Sequence, residues 1–271
     1  TYHTKVVTAS IHINVGIDNP DELMRACRLI RLEAPLYLAL SASSPFLDGQ
    51  PTGYHSTRWA VFPQTPAEVP LFESHAHFIR WTEAQLAAGT MQNVRHLWSS
   101  VRPNGDRRPY CLNRLELRIC DLVIDPIALL AISAFLEARL IQLLNDPHLD
   151  PLALSCFSPE ELVDLAIANE AAAARQSLDA PLTHWQDGRT LLARDWIDEI
   201  YQTVWTVAQQ RGFSCFLSPL KKILREGNTA QQWLGQYQAG LTPRQILVRA
   251  IEAAEQQEQE LEDKLCQAMA A

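Results

Sequence analysis

The run Asn113-Arg-Leu-Glu-Leu-Arg-Ile-Cys-Asp121 alternates along its length: Leu115, Leu117 and Ile119 point one way, and Arg114, Glu116, Arg118 and Cys120 the other. Such a strand needs an apolar cover on one face and polar partners on the other, because a charged side chain pressed into a core unpaired is costly. A second run repeats the pattern near the start. Val7, Ala9, Ile11, Ile13 and Val15 face one side, Thr8, Ser10, His12 and Asn14 the other, and Gly16 closes the strand. Two half-buried strands of this kind call for an antiparallel sheet with helices on its apolar face.

The helices announce themselves by their caps. Asp18-Asn19-Pro20-Asp21-Glu22 combines an N-cap, a proline at the first helical position and acids on the positive end of the dipole, predicting a helix to about Leu40 with a kink near Pro35. A second helix is expected from about Pro70 to Ala88, stopped by Gly89. His96 to Arg102 reads as a strand and Pro103 to Pro109 as the turn that returns the chain to Asn113. Beyond Asp125-Pro126 the pattern is helical. Ser158-Pro-Glu-Glu161 is a capping box, Gln186 to Arg189 a turn, and Arg194 to Arg211 a helix ended by Gly212. Thr242-Pro-Arg-Gln245 opens a final amphipathic helix whose Ile246, Leu247, Ile251, Leu261 and Leu265 are expected to cover the chain's own core. The fold class is therefore α+β. One domain is expected over 1–271, with 190–271 as its helical C-terminal part.

Composition narrows the function classes. With 47% hydrophobic and 20% charged residues the 271-residue chain is globular, and a net charge of −8 gives no basic footprint for nucleic acid. The longest apolar run, Ile127 to Leu136, is followed by Glu137 and Arg139 and reads as a buried helix, so no membrane partner is expected. The six scattered cysteines lack metal or disulfide spacing and read as free thiols of a cytoplasmic protein. The chain opens at Thr1 already inside the strand pattern, which predicts an upstream segment removed or a fragment.

Phosphate-cradling glycine loops, nucleophile elbows and HExxH are missing, so chemistry has to come from the strand faces. Glu is a hard oxygen ligand for Mg²⁺, imidazole can share a divalent site, and Arg forks onto phosphate oxygens. A solvated sheet face with a Glu116–Arg118 surface pair is the competing reading at this point.

The runs Ala9-Ser-Ile-His-Ile-Asn-Val-Gly16, Ala42-Ser-Ser-Pro-Phe46 with Gly53-Tyr-His-Ser-Thr-Arg58, and Asn113 to Asp121 resemble the glutamate–cysteine ligases, in the bacterial carboxylate–amine ligase branch and its cyanobacterial type. The Ala168-Asn169 to Arg175 segment occupies the place of that family's Asn/Ala/Arg helix, so the likeness runs from about Lys5 to Gly188. The resemblance implies a glutamine-synthetase-like fold whose polar sheet face binds ATP, Mg (or Mn) and glutamate. It implies phosphorylation of the glutamate γ-carboxylate by ATP, then attack of the cysteine amine on γ-glutamyl phosphate. Carried over residue by residue, His12 and Glu116 match the metal-binding pair and Arg118 the arginine that stabilises transferred phosphate. Asn14 is their neighbour, Arg58, Ser56 and Tyr54 lie over the site toward the substrate carboxylate, and Asn169 and Arg175 reach nucleotide or substrate. A homodimer is the family-level expectation. Members of the family open with a strand carrying a Glu-x-Glu pair that completes the metal sites, and from Thr1 onward there is none. The strand therefore lies upstream, or the chain is a ligase-like binding module; an amine acceptor other than cysteine is the further alternative.

Overall fold

The computed structural model describes residues 9–270, side chains at 264, 265 and 267–270 excepted. Val7 and Thr8 of the expected first strand lie outside the described residues. The strand itself is shorter than the alternation suggests, β1 at Ile13–Gly16. Next comes α1 (Pro20–Ser41), whose Asn19 carboxamide accepts from the amides of Asp21 and Glu22 as its sequence foretold. Pro35 is carried inside one continuous helix.

From Leu23 to Ser41 every residue of α1 is buried, so it is a central rod rather than an amphipathic cover. Its charged residues survive there because each has a partner. Arg28 pairs with Asp150 and donates to the carbonyl of Phe72, Arg31 donates to the carbonyl of Val69, and Arg25 to that of Asp146. Glu33 accepts from Arg139 Nε at 2.9 Å and from the Trp185 indole at 3.2 Å.

A two-stranded ribbon, β2 (Phe46–Leu47) with β3 (Gln50–Pro51), and the single turn α2 (Thr57–Ala60) follow. The second long helix, α3 (His75–Ala87), starts five residues later than expected. Ser74 caps it, while Leu71 and Phe72 are buried in the core and the carbonyls of Val69, Phe72 and Glu73 accept from the arginines of α1. The next strand is displaced as well. Val94–His96 is a 3₁₀ turn and β4 is Val101–Asn104, running through Pro103, which an edge strand tolerates because its missing N–H is not needed. Gly105 then makes a turn so close that a Cβ there would lie 2.0 Å from the Cys111 carbonyl oxygen.

Strand β5 (Arg114–Leu117) returns through the centre of a three-stranded antiparallel sheet of order β1-β5-β4. Glu116 is opposite Asn14 on one side and Arg102 on the other. Continued four residues, that register would set Ser10 opposite Cys120, yet Ser10 bridges Asp121. One extra residue on the β5 side is a bulge, and it ends the strict alternation read from the sequence. Ile119, Cys120 and Asp121 are all buried.

Five more helices and a hairpin complete the inner part of the chain. They are α4 (Pro126–Asn145), α5 (Pro151–Leu154), α6 (Pro159–Gln176, with its capping box formed), the hairpin β6 (Pro181–Thr183) and β7 (Thr190–Leu192), α7 (Ala193–Gln210) and α8 (Pro219–Glu226). Helix α4 is long and apolar enough to cross a membrane, but half of its apolar window is buried inside the chain and its Arg139 pairs with Glu33 of the central rod. The apolar side of the sheet, Leu115, Leu117 and Val101, is packed into the same core as α1, giving a small sheet with its helices on one face. Helices α9 (Thr229–Gln238) and α10 (Pro243–Ala270) close the chain. Here one expectation fails: of the apolar positions on the last helix Ile246 is buried, whereas Leu247 and Ile251 are exposed, and the Leu265 side chain lies outside the described residues. Leu261 is half-buried and lines a pocket together with Ile127 of α4 and Ile223 of α8, so the stripe is only partly covered.

Candidate functional site

The polar face of the sheet collects His12, Asn14, Arg102, Asn104, Arg114, Glu116 and Arg118, because strand residues two apart share a face and the register aligns the three strands. Glu116 is the hub. Its Oε2 accepts from Arg102 Nε at 2.7 Å and Asn104 Nδ2 at 2.8 Å, and its Oε1 accepts from Arg102 Nη2 at 3.2 Å. His12 Nδ1 lies 3.1 Å and Arg118 Nε 3.4 Å from that same Oε1. The His12 ring meets Ser10 Oγ through Nε2 at 3.4 Å. Asn14 is exposed opposite Glu116 in the register.

Burial alone would raise the Glu116 pKa. The hydrogen bonds from His12 and Arg102 and the charges of Arg102 and Arg118 outweigh it, holding the carboxyl down to about 2. It is a permanent anion at neutral pH, and a poor general base for that reason. Arg118 is pushed the other way, to about 10, first by burial and then by the like charges of Arg102, Arg108 and Arg58, against the pull of Glu116. Arg102 is further fixed by its own donations to the carbonyls of Leu97 at 2.8 Å and Arg95 at 3.2 Å, and Arg118 donates to Leu97 at 3.1 Å.

The residues expected above this face are engaged in three separate sets of contacts, and the charge of Arg58 still reaches Arg118. Ser56 and Arg58 converge on Asp121, whose Oδ1 accepts from Ser56 Oγ at 2.8 Å and Arg58 Nε at 2.7 Å. Its Oδ2 accepts from the Ser43 amide at 3.0 Å and Ser44 Oγ at 2.7 Å, and Arg58 also donates to the Ile119 carbonyl. The bulge is what turns Asp121 toward this cluster. A cavity of about 300 Å³ opens beside it, walled by Phe46, Leu47, Val61, Leu122 and Trp233. Tyr54 and Arg175 form their own pair, the guanidinium 4.9 Å from the ring centre. Asn169 is buried and spends both ends of its amide on the backbone of Thr183, clamping α6 to β6.

Sequence reading overlooked Arg102, Asn104 and Asp121. Arg102 and Asn104 sit two apart on a strand, which was visible. That they face Glu116 depends on a register between segments far apart in sequence.

The expected divalent ion can be tested against these donors. Mg²⁺ asks for six oxygen-type ligands in octahedral order. The described residues offer one carboxylate and one imidazole, the carboxylate already bound by Arg102 and Asn104, and hold no group of three or more His, Cys, Asp or Glu arranged for a metal. Alone they supply two protein donors, and the other positions around a Mg²⁺ would fall to water or phosphate oxygens.

A sequence profile of the glutamate–cysteine ligase family 2 (GCS2) matches residues 1–267. A provisionally named glutamate–cysteine ligase 2 of Sorangium cellulosum is 31% identical over 232 residues, covering 84% of this chain and 58% of that protein. A glutamate–cysteine ligase of Halobacterium salinarum is 32% identical over 177 residues, 64% of this chain and 47% of that one. Among solved structures, the glutamate–cysteine ligase of Francisella tularensis in complex with AMP superimposes with a TM-score of 0.64 at 13% identity, over 88% of this chain and 58% of that chain, a likeness of fold. The chain spans about half the length of the curated relatives it matches. Its sequence, from the charged strand face to the capped helices behind it, belongs to glutamate–cysteine ligase family 2.

Proposed function

We propose that this chain carries the phosphate-handling face of an ATP-dependent ligase that joins the γ-carboxylate of glutamate to the amine of cysteine. The single observation behind this reading is the constellation of Arg102, Arg118, His12 and Asn104 around the deeply acidic Glu116. Phosphoryl transfer asks a protein for positioning and charge neutralisation rather than for a nucleophile. A carboxylate oxygen of glutamate attacks the γ-phosphorus of ATP, giving γ-glutamyl phosphate and ADP. The cysteine amine then displaces phosphate and gives up a proton. In both steps negative charge moves over phosphoryl oxygens, and in this reading Arg118 is the group that meets it. Glu116 and Arg102 keep Arg118 in position. The divalent cation expected from the family travels in this reading with the nucleotide, on whose phosphates Mg²⁺ ordinarily rides. Both ATP and reduced cysteine are available in the cytoplasm, where we place the protein, and a homodimer stays part of the proposal.

The test is ADP release from Mg·ATP, glutamate and each member of an amine panel. Release that requires both glutamate and cysteine supports the proposal. Release with a different amine transfers the same chemistry to another acceptor. If no ADP forms with any amine while Mg·ATP still raises the melting temperature, the chain is a nucleotide-binding module instead.

A further inference from the structure

We propose that the groove between α3 and α6 binds a linear aliphatic polyamine, its ammonium groups on Glu68, Glu160 and Asp164 and its methylenes on the apolar floor between them. The site is independent of the ligase reading, since the groove shares no lining residue with the polar sheet face or with the Asp121 cluster.

The groove has a volume of about 660 Å³, more than twice that of the cavity beside Asp121. Its walls are fixed on three sides. The 66–70 loop is tied down by the backbone pair of Thr65 with Trp98 and by Arg31, which donates to the Val69 carbonyl at 2.7 Å. On α3, Trp81 stands half-buried and edge-on to Phe72, with ring centres 5.2 Å apart. Helix α6 is held at its start by the Ser158–Glu161 capping box. A preformed cavity of this size is in the range that takes small ligands.

Its charge has one sign. Glu68, Glu160 and Asp164 are exposed, and among the described residues no Lys, Arg or His lines the groove. None of the three acids has an ion pair or a hydrogen bond with another described side chain. Glu160 is answered in part by the positive end of α6, whereas Asp164, a turn further on, and Glu68 are not. Along α6, Glu160, Val163, Asp164 and Ile167 share one face at i, i+3, i+4 and i+7. The two acids four apart repel and weaken the helix, where a lysine at either position would strengthen it. Ile167 beside them is 39% exposed, so apolar surface alternates with charge along the wall.

That alternation selects the ligand class. A bare divalent cation would use the carboxylates and leave the apolar floor wet. A neutral apolar ligand would cover the carboxylates unpaired, which is costly. A chain of ammonium groups joined by short methylene spacers satisfies both. Acids four apart on a helix have Cβ atoms about 5–6 Å from each other, comparable to the reach of the putrescine spacer. Methylene stems lie along apolar surface while their charged ends stay wet, and the indole of Trp81 attracts an ammonium. Three carboxylates match the three charges of spermidine.

The experiment is calorimetric titration of the whole chain with spermidine, putrescine, Mg²⁺ and the equally charged acetyl-trilysine amide. The proteins are wild type, Glu68→Gln, Asp164→Asn, the double variant, and the control Glu258→Gln at an exposed acid of α10. Spermidine should bind more tightly than putrescine or Mg²⁺. Each single variant should weaken it by about threefold and the double variant by about 10-fold or more, with Glu258→Gln unchanged. Both substituted acids are exposed and make no contacts that folding needs, so every variant should melt as wild type does. Spermidine no tighter than Mg²⁺, or weakened as much by Glu258→Gln as by Asp164→Asn, reduces the effect to the net charge of −8 and overturns the site. Wild-type affinity in the double variant overturns it as well. Trilysine tighter than spermidine overturns the polyamine assignment and gives the groove to a basic protein segment.

Discussion

Replacing Glu116 by Gln keeps the shape of the hub and removes its charge. A carboxyl held at about 2 instead of its ordinary 4.5 corresponds, at about 1.4 kcal/mol per pH unit, to roughly 3 kcal/mol of stability near pH 7. The folded pKa is depressed, so this stability is fully present above 4.5 and disappears as the pH falls through 2. By linkage the contribution shrinks to about 1 kcal/mol at pH 3. The Glu116 side chain is only 6% exposed, so solvent screening takes little from these figures. Loss of a buried partner for Arg102 alone belongs to the class that costs about 3–5 kcal/mol, which agrees in size. The assay is urea unfolding of wild type and Glu116→Gln at several pH values between 3 and 7, reading the difference in free energy between the two proteins. That difference should be near 3 kcal/mol at neutral pH and fall by more than half at pH 3. A difference below about 1 kcal/mol at pH 7, or one that stays constant down to pH 3, would show that Glu116 is not the charge centre of this face.

Other outcomes follow from the same geometry. Arg118→Ala should lower cysteine-dependent ADP release by about 100-fold or more while circular dichroism stays native, and turnover within threefold of wild type would remove Arg118 from the proposed chemistry. Asn169→Ala should cost about 1–3 kcal/mol in thermal unfolding through the lost clamp on Thr183 and leave the ATP affinity unchanged; a weakened affinity would restore Asn169 to the ligand. Gly105→Ala should unfold the β4–β5 turn, seen as a lowered melting temperature, since its Cβ has only 2.0 Å to the Cys111 carbonyl oxygen. Burial pushes the Cys120 thiol up to about 12, and Cys27 is raised for the same reason, so iodoacetamide at pH 8 should label Cys111, Cys156, Cys215 and Cys266 in the native protein and spare these two.

Local signals carried well from sequence to structure. Asn19-Pro20 and Ser158-Pro159 start helices where they should, because a cap is satisfied within its own turn. The charged face of the Asn113–Leu117 stretch was equally plain, since alternation is a property of one strand. What failed to carry was everything set by distant segments. The β4 strand slid to 101–104 because its place is fixed by pairing with β5, not by its own residues. Arg102 and Arg58 could each be named as a lone arginine, but which acid each would find depended on register and on the one-residue bulge before Asp121. The last helix misled for a related reason: a periodic apolar stripe says which face is oily, not whether anything lies opposite it.

The buried rod α1 has a consequence for how the chain can come apart. Its four buried charged side chains, Arg25, Arg28, Arg31 and Glu33, are answered by the 69–73 segment, by the 139–150 segment and by Trp185, so three separate lengths of chain are laced to one helix. Cutting the chain between the sheet and α4 would leave either piece with naked arginines or a naked glutamate in an oily setting. Neither half should hold its shape alone, and mixing the two should restore it only when the helix is threaded by both at once. In mechanical terms the helix is a splice, and the polar face in front of it inherits its rigidity from that splice.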